Sequence, residues 1–330
     1  MEILNGYDMA NNLGLLGSPC KFTGHLITPS AVVYNFKSTN LNYTENKRKS
    51  AVYRLGEFSE TQFDYLKTEK GFSIISALAD KDRYFPDILA FNSLAENSFA
   101  LGIDNTNKQY TANLDYITHL LVCGQTGSGK SVFINSLIYS LSCFTKAENC
   151  GLMLIDVKRV EFAKWKTNSH LVCPILDTPT GAINGLNSAV AEMERRYEIL
   201  KKLGLDQNNG TFPKLVIVID ELADLMLASK KEIETPIVRL AQMGRACGIH
   251  LILCTQRPTV NVVTGLIKAN IPSRIAFAMA SYRDSITLLD HKGAETLKGK
   301  GDCIVKIQGN KELHLQAPFI SNEIINQCLN

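Results

Sequence analysis

HLLVCGQTGSGKSVFINSLIYSL, residues 119–141, holds the octet GQTGSGKS at 124–131, which fits the spacing G-x-x-x-x-G-K-[ST]. An apolar run precedes the octet and a helix-length apolar stretch follows it. That order, strand, glycine-rich turn, helix, is the context in which this spacing cradles phosphate. Glycines let backbone N–H groups turn inward with no Cβ in the way. The N-terminus of the following helix, from about Lys130, faces the anion. Lys130 is placed to reach the outer phosphates, and the Ser131 hydroxyl to ligate Mg²⁺. Gly124, Gln125, Thr126, Gly127, Ser128, Gly129, Lys130, Ser131 and Val132 are therefore the candidate nucleotide contacts. The bland alternative is a glycine-rich turn that matches by chance, and the flanking pattern weighs against it.

Two further strand ends support the reading. LVIVIDE (215–221) delivers Asp220 and Glu221 at the end of an apolar run, 90 residues after Lys130. One carboxylate there suits Mg²⁺, and the next suits polarising an attacking water. An acidic first turn of an ordinary helix is the competing account. LILCTQRP (251–258) sets Gln256 and Arg257 beyond another apolar strand, where a polar group can sense a terminal phosphate; a plain Arg-Pro turn is the alternative.

Outward from these motifs, short apolar runs recur at 151–157, 214–221, 248–256, 273–280 and 301–307, with helix-length segments such as 182–204 between several of them. Strands alternating with helices predict an α/β fold with a mostly parallel sheet flanked by helices. Continuous rather than alternating apolar runs fit strands covered on both faces. Residues 1–105 read as a smaller α+β unit, with strands in 27–36 and 71–91 and a charged, partly helical stretch between them. Residues 106–330 read as the main domain, and the boundary falls within 98–112.

Bulk properties exclude several classes. The 330 residues, 45% hydrophobic, suffice for a sizeable core. Lys and Arg total 35 against 32 Asp and Glu, so whole-chain charge argues for no partner. Residues 268–312, however, hold eight basic and five acidic side chains, a surplus equal to the net +3 of the chain. Nine cysteines without a C-x-x-C pair read as reduced, buried thiols of a cytosolic protein. The N-terminus is too polar for a signal peptide. The longest uncharged apolar stretch, 131–145, is shorter than the ~20 residues that span a bilayer.

The segments HLLVCGQTGSGKSV, LIDVKRVEF, EMERRYEIL, VIDELADLM, RLAQMGRACGIHLILCTQRP, TGLIKANIPSRIAF and GAETLKGKGD, in that order over roughly residues 100–320, resemble the motor domain of the FtsK/SpoIIIE family. GHLITPSAVVYNF and DILAFN resemble its smaller N-terminal domain more weakly. The resemblance implies a RecA-like P-loop ATPase that uses ATP and Mg²⁺, assembles as a homo-hexameric ring and moves along double-stranded DNA. It implies Lys130 and Ser131 at the phosphates and Mg²⁺, Asp220 at the metal, and Glu221, Gln256 and Arg274 in catalysis, Arg274 as a finger acting on the neighbouring subunit. Asp156, Lys158 and Glu161 match the family's D-x-K-x-x-E stretch, with no role assigned.

Departures bear on function. Where the family has D-S-R-T-I-L-D, this chain reads DSITLLD, so Ile286 stands in place of an arginine in the DNA-facing region. Arg283, Lys298, Lys300, Lys306 and Lys311 are the remaining candidate DNA contacts, with a solvated face as the bland alternative. The family's membrane-spanning and winged-helix modules are not in this sequence, which favours a cytoplasmic motor of plasmid, integrative-element or phage type. A membrane-protein partner that recruits it is a further expectation. The competing readings are a motor for protein secretion, favoured by Ile286, and a binding module with a dead nucleotide site, disfavoured by the intact Lys130, Ser131, Asp220 and Glu221.

Overall fold

The computed structural model describes residues 5–15, 18, 20–27, 31–39, 44–59, 63–68, 71–77 and 85–329. The chain divides into two compact units, residues 1–86 with 103–108, and residues 87–102 with 109–330.

The smaller unit carries α1 (Gly6–Leu15), β1 (Cys20–Ile27), β2 (Ala31–Ser38), α2 (Glu45–Ser59), β3 (Phe63–Thr68) and β4 (Gly71–Ala77). Its strands form an antiparallel sheet in the order β1-β2-β4-β3. Met9 and Leu13 of α1, Val52 and Leu55 of α2, and Tyr34, Phe36, Phe72 and Ile74 of the sheet make its core. Sequence reading finds β2, β4 and the helix between them but misses β1 and β3. The two missed strands are edges with largely exposed or half-exposed residues, so they lack a continuous apolar run.

The larger unit holds β5 (Ser98–Ile103), β6 (Gln109–Asn113), β7 (Leu120–Cys123), α3 (Lys130–Phe144), β8 (Cys150–Ile155), α4 (Pro179–Leu203) and β9 (Lys214–Ile219). It continues with α5 (Leu222–Met243), β10 (Ile249–Thr255), α6 (Gly265–Asn270), β11 (Ser273–Phe277), α7 (Tyr282–Leu289), β12 (Asp302–Lys306), β13 (Leu313–Gln316) and α8 (Asn322–Leu329). The nine strands form one sheet, β6-β5-β13-β12-β11-β7-β10-β9-β8. From β11 to β8 every pair is parallel, whereas β11–β12 and β12–β13 are antiparallel. Every residue of β7, β8, β10 and β11 is buried, as continuous apolar runs require. The segment 98–112, read from sequence as a domain boundary, holds β5, most of β6 and the stretch 103–108 that groups with the smaller unit. The DILAF segment, read as a strand end, forms a short 3₁₀ turn at Ile88–Ala90.

The chain order of the parallel strands positions the site. It leaves β7 for the edge strand β8, returns through β9 and β10, then crosses β7 to β11. β7 therefore lies between β10 and β11, at the point where the direction of winding reverses, and ligands bind open α/β sheets outside the carboxyl ends of strands at such a point. The helices are set by local chemistry. Thr178 caps α4, its hydroxyl accepting from Gly181 N at 3.1 Å, Pro179 opens the first turn, and Gly204 closes it at φ 69°. Met193, Leu225, Leu240 and Leu253 join α4, α5 and the sheet in one core. No helix among the described residues is long and apolar enough to cross a membrane.

Candidate active site

The turn 124–131 leaves β7 and enters α3 as the spacing predicts. Gly127 and Gly129 sit at φ 77° and 105°, backbone that L side chains rarely adopt. A Cβ at Gly129 would lie 2.3 Å from Gly301 N, so space as well as torsion demands glycine there. The loop is pinned to both neighbouring strands: Gly124 N donates to Thr255 O at 3.3 Å and Gln125 N to Ala278 O at 2.9 Å. The N–H groups of the first turn of α3, which include Val132, have no intrahelical acceptor and point outward at its N-terminus. Ser128 Oγ is buried with no hydrogen-bond partner.

Lys130 and Asp220 meet at the heart of the site. Lys130 Nζ donates to Asp220 O at 3.0 Å and to Asp220 Oδ1 at 3.2 Å, both side chains only 3% exposed. Burial pushes the Asp220 carboxyl above its ordinary range, Lys130 pulls it back, and the negative Glu161 and Asp156 push it up again. A further cation would relieve that crowding. Ser131 Oγ donates to Glu161 Oε1 at 2.9 Å, so the hydroxyl faces the same carboxylates. These hard oxygen donors fit Mg²⁺. Among the described residues no three His, Cys, Asp or Glu side chains converge to hold a metal by themselves. The fit is thus to an ion that shares its shell with the oxygens of a bound phosphate, the usual habit of Mg²⁺.

Glu221 is fixed from three directions. Its carboxylate accepts from Thr255 Oγ1 at 2.6 Å, from Gln256 N at 3.1 and 3.2 Å, and from Ala223 N at 3.4 Å as the N-cap of α5. The acidic helix start and the site carboxylate are therefore one residue. Lys158 Nζ stands 3.7 Å from Glu221 and 3.2 Å from Asp224. Gln256 reaches across to the loop, its Oε1 accepting from Thr126 Oγ1 at 2.8 Å. Asp156 accepts from Glu161 N and Phe162 N, both at 2.9 Å, which shapes the turn that presents Glu161. Sequence reading matched Asp156, Lys158 and Glu161 without a role and missed Thr255. The available signal for Thr255 was its place one residue before Gln256 at a strand's carboxyl end.

Arg274 departs from expectation. A residue acting on a neighbouring subunit needs an accessible head group, but Arg274 lies in β11 at 8% exposure. Its guanidinium donates to Leu288 O at 2.7 Å, Asp290 Oδ2 at 2.6 Å and Lys268 O at 3.3 Å. In this conformation it braces its own chain.

The candidate DNA contacts also divide. Arg283, Lys298 and Lys311 are exposed. Lys306 is half-buried: Nζ donates to Leu289 O at 2.9 Å and stands 3.6 Å from Glu312 and 3.9 Å from Asp290. Lys268 also pairs with Asp290, at 2.7 Å. Three cations of the basic segment thus converge on one carboxylate, so only part of the segment's charge faces outward. Lys300 sits against the phosphate loop, its N donating to Gly127 O at 3.3 Å. Ile286 is 40% exposed on α7, so a surface position lacks the charge.

The sequence profile of the FtsK/SpoIIIE family matches residues 91–212 and 205–260. The chain belongs to the FtsK/SpoIIIE family. Among curated FtsK/SpoIIIE relatives, DNA translocase FtsK of Lactiplantibacillus plantarum is 44% identical over 248 residues, covering 70% of this chain and 31% of the relative. DNA translocase FtsK of Helicobacter pylori is 44% identical over 244 residues, covering 70% and 29%. The chain thus spans about a third of the length of the curated relatives it matches. Of solved structures, the pCW3 conjugation coupling protein TcpA, in a monomer form with ATPγS, superposes at TM-score 0.69 with 23% identity over 98% of both chains. The cytoplasmic domain of the type VII secretion ATPase EccC from Thermomonospora curvata superposes at 0.63 with 22% identity, covering 71% of this chain and 31% of that one. These likenesses establish the P-loop ATPase fold of the larger unit.

Proposed function

We propose that this chain hydrolyses ATP and couples the hydrolysis to movement along double-stranded DNA, as the motor unit of a homo-oligomeric ring. The observation that carries the proposal is the convergence of Lys130, Asp220, Glu221 and Gln256 on one phosphate loop, in a chain of the FtsK/SpoIIIE family. In the reaction the loop N–H groups and the N-terminus of α3 hold phosphate oxygens. Lys130 exchanges its bond to Asp220 for the outer phosphates, which it neutralises. Ser131 and Asp220 hold Mg²⁺, which supplies charge neutralisation at the phosphate oxygens. Glu221, oriented by Thr255 and the Gln256 N–H, orients and polarises the attacking water. Gln256, bridged to Thr126, links the loop to the end of β10 and reports the state of the terminal phosphate. A trans role for Arg274 requires its release from Asp290.

Exposed Arg283, Lys298 and Lys311 are the contacts assigned to DNA phosphates, which would make binding sequence-indifferent and salt-sensitive. The full-length likeness to a conjugation coupling protein supports transfer of plasmid or integrative-element DNA as the setting. Phosphate release with and without random duplex DNA tests the reading: stimulation by duplex, abolished in Lys130→Ala, is expected. Hydrolysis indifferent to DNA, with no duplex binding at 50 mM salt, would transfer the proposal to a protein-moving motor, the reading that Ile286 favours.

A further inference from the structure

All nine cysteines are free, and two of them stand apart as a pair. Cys143, exposed near the C-terminal end of α3, lies with its Sγ 2.9 Å from the Sγ of Cys328, half-buried in α8 and 185 residues on. A disulfide needs a separation of about 2.05 Å, so less than about 1 Å of approach separates the pair from a bond. Both helices are already seated: Ile325 anchors α8 in the core, and Lys164 Nζ reaches Asn322 Oδ1 at 3.4 Å at its start.

We propose that Cys143 and Cys328 are a reversible oxidation site, whose intrachain disulfide fastens α8 to the far end of the phosphate-loop helix. The chemistry of the pair assigns the roles. Cys143 is the exposed member, which a dissolved oxidant meets first, and hydrogen bonds from Cys328 and Tyr139 lower its thiol from the ordinary range. Cys328 is the half-buried member, its thiol pushed up by the same contact, and so the resolving one. Burial pushes Cys150 up to about 12, and Cys123, Cys254 and Cys303 are fully buried and shifted upward as well, so none competes.

The oxidant is a low-molecular-weight disulfide, with oxidised glutathione as the probe. The Cys143 thiolate attacks one glutathione sulfur, the S–S bond breaks, and the first glutathione leaves as thiolate and takes up a proton. Cys328 then attacks Cys143 Sγ, the mixed disulfide breaks, and the second glutathione leaves with the Cys328 proton. Two cysteine thiols are oxidised and one glutathione disulfide is reduced to two thiols. The site requires neither nucleotide nor DNA, so it stands independently of the proposed motor activity.

The full chain is treated with oxidised glutathione, blocked with N-ethylmaleimide and digested with trypsin without reductant. Peptide 131–146, with Cys143, and peptide 312–330, with Cys328, should be recovered joined, with the mass of two hydrogens lost, and dithiothreitol should separate them. In Cys328→Ser the reaction should halt with glutathione attached at Cys143. Recovery of both cysteines as maleimide adducts from folded protein would overturn the proposal. So would a disulfide joining Cys143 to a second chain, or an unmodified Cys143 in Cys328→Ser.

Discussion

The carboxyl ends of the parallel strands and the basic segment 268–312 were equally conspicuous in the sequence, yet their charged groups find partners in different ways. At the strand ends, groups far apart in the chain meet: Lys130 with Asp220, Ser131 with Glu161, Thr126 with Gln256. In the basic segment part of the charge is absorbed locally. Asp290 alone takes Lys268, Arg274 and Lys306, and Glu312 takes His291 and Lys306. Residues at the ends of buried strands have directions set by the sheet. Residues on a turn-rich segment have directions set by whichever acidic neighbour arrives, and a charge count cannot register that.

The largest expected effects lie at the strand ends. Glu221→Gln and Lys130→Ala should each lower phosphate release by roughly 10²–10⁴-fold, with Glu221→Gln still binding nucleotide by fluorescence titration. Wild-type turnover in Glu221→Gln would remove the carboxylate from the chemistry. Next comes Arg274→Ala, which strips three hydrogen bonds from a buried guanidinium and should cost about 2–4 kcal/mol in urea unfolding. A variant of unchanged stability that poisons wild-type activity when the two are mixed would instead return the residue to the trans role.

A third effect belongs to the opposite end of the sheet, where His119 precedes β7 and His250 lies near the start of β10. Burial lowers them to about 4 and about 3. Both stay neutral when folded but charge in the unfolded chain near 6.5, so the folded state gains nothing from protons that the unfolded state takes up. Their contribution is complete above pH 6.5 and declines as pH falls towards 4 and 3. Roughly 2 kcal/mol per histidine should be lost by pH 5, read as a falling urea midpoint that His250→Asn flattens.

The smallest effects are in the basic segment. Lys306→Ala should cost at most about 1 kcal/mol. Lys311→Ala and Arg283→Ala should leave stability within about 0.5 kcal/mol but each reduce the salt slope of duplex binding by about 1. An unchanged slope in both would place the DNA path elsewhere on the protein.

Much of the larger unit was legible because strands buried on both faces write themselves as continuous apolar runs, and the phosphate loop has a fixed spacing. β5 and β6 were not, because β6 alternates half-exposed polar residues and resembles a linker. Glu161 was legible as a motif position but not in its role, which depends on Ser131, thirty residues earlier and on another element. Arg274 was legible as a position and not as an environment: Asp290, which holds it, sits at the left-handed cap of α7, where only the folded chain brings it within 2.6 Å. The expectation of buried thiols fits five of the nine cysteines and is silent on pairing. Nothing in the text of residues 143 and 328 relates them.

Gly129 meets the backbone of Gly301 with no space for even a methyl group between them, and Gly301 N donates to Ser128 O at 2.8 Å. Residues 299–301 feed directly into β12, which pairs with β11 on one side and β13 on the other. The phosphate loop therefore has a rigid backstop made of main chain. Any outward recoil is delivered as a push on the antiparallel half of the sheet, and that push needs no side chain to carry it.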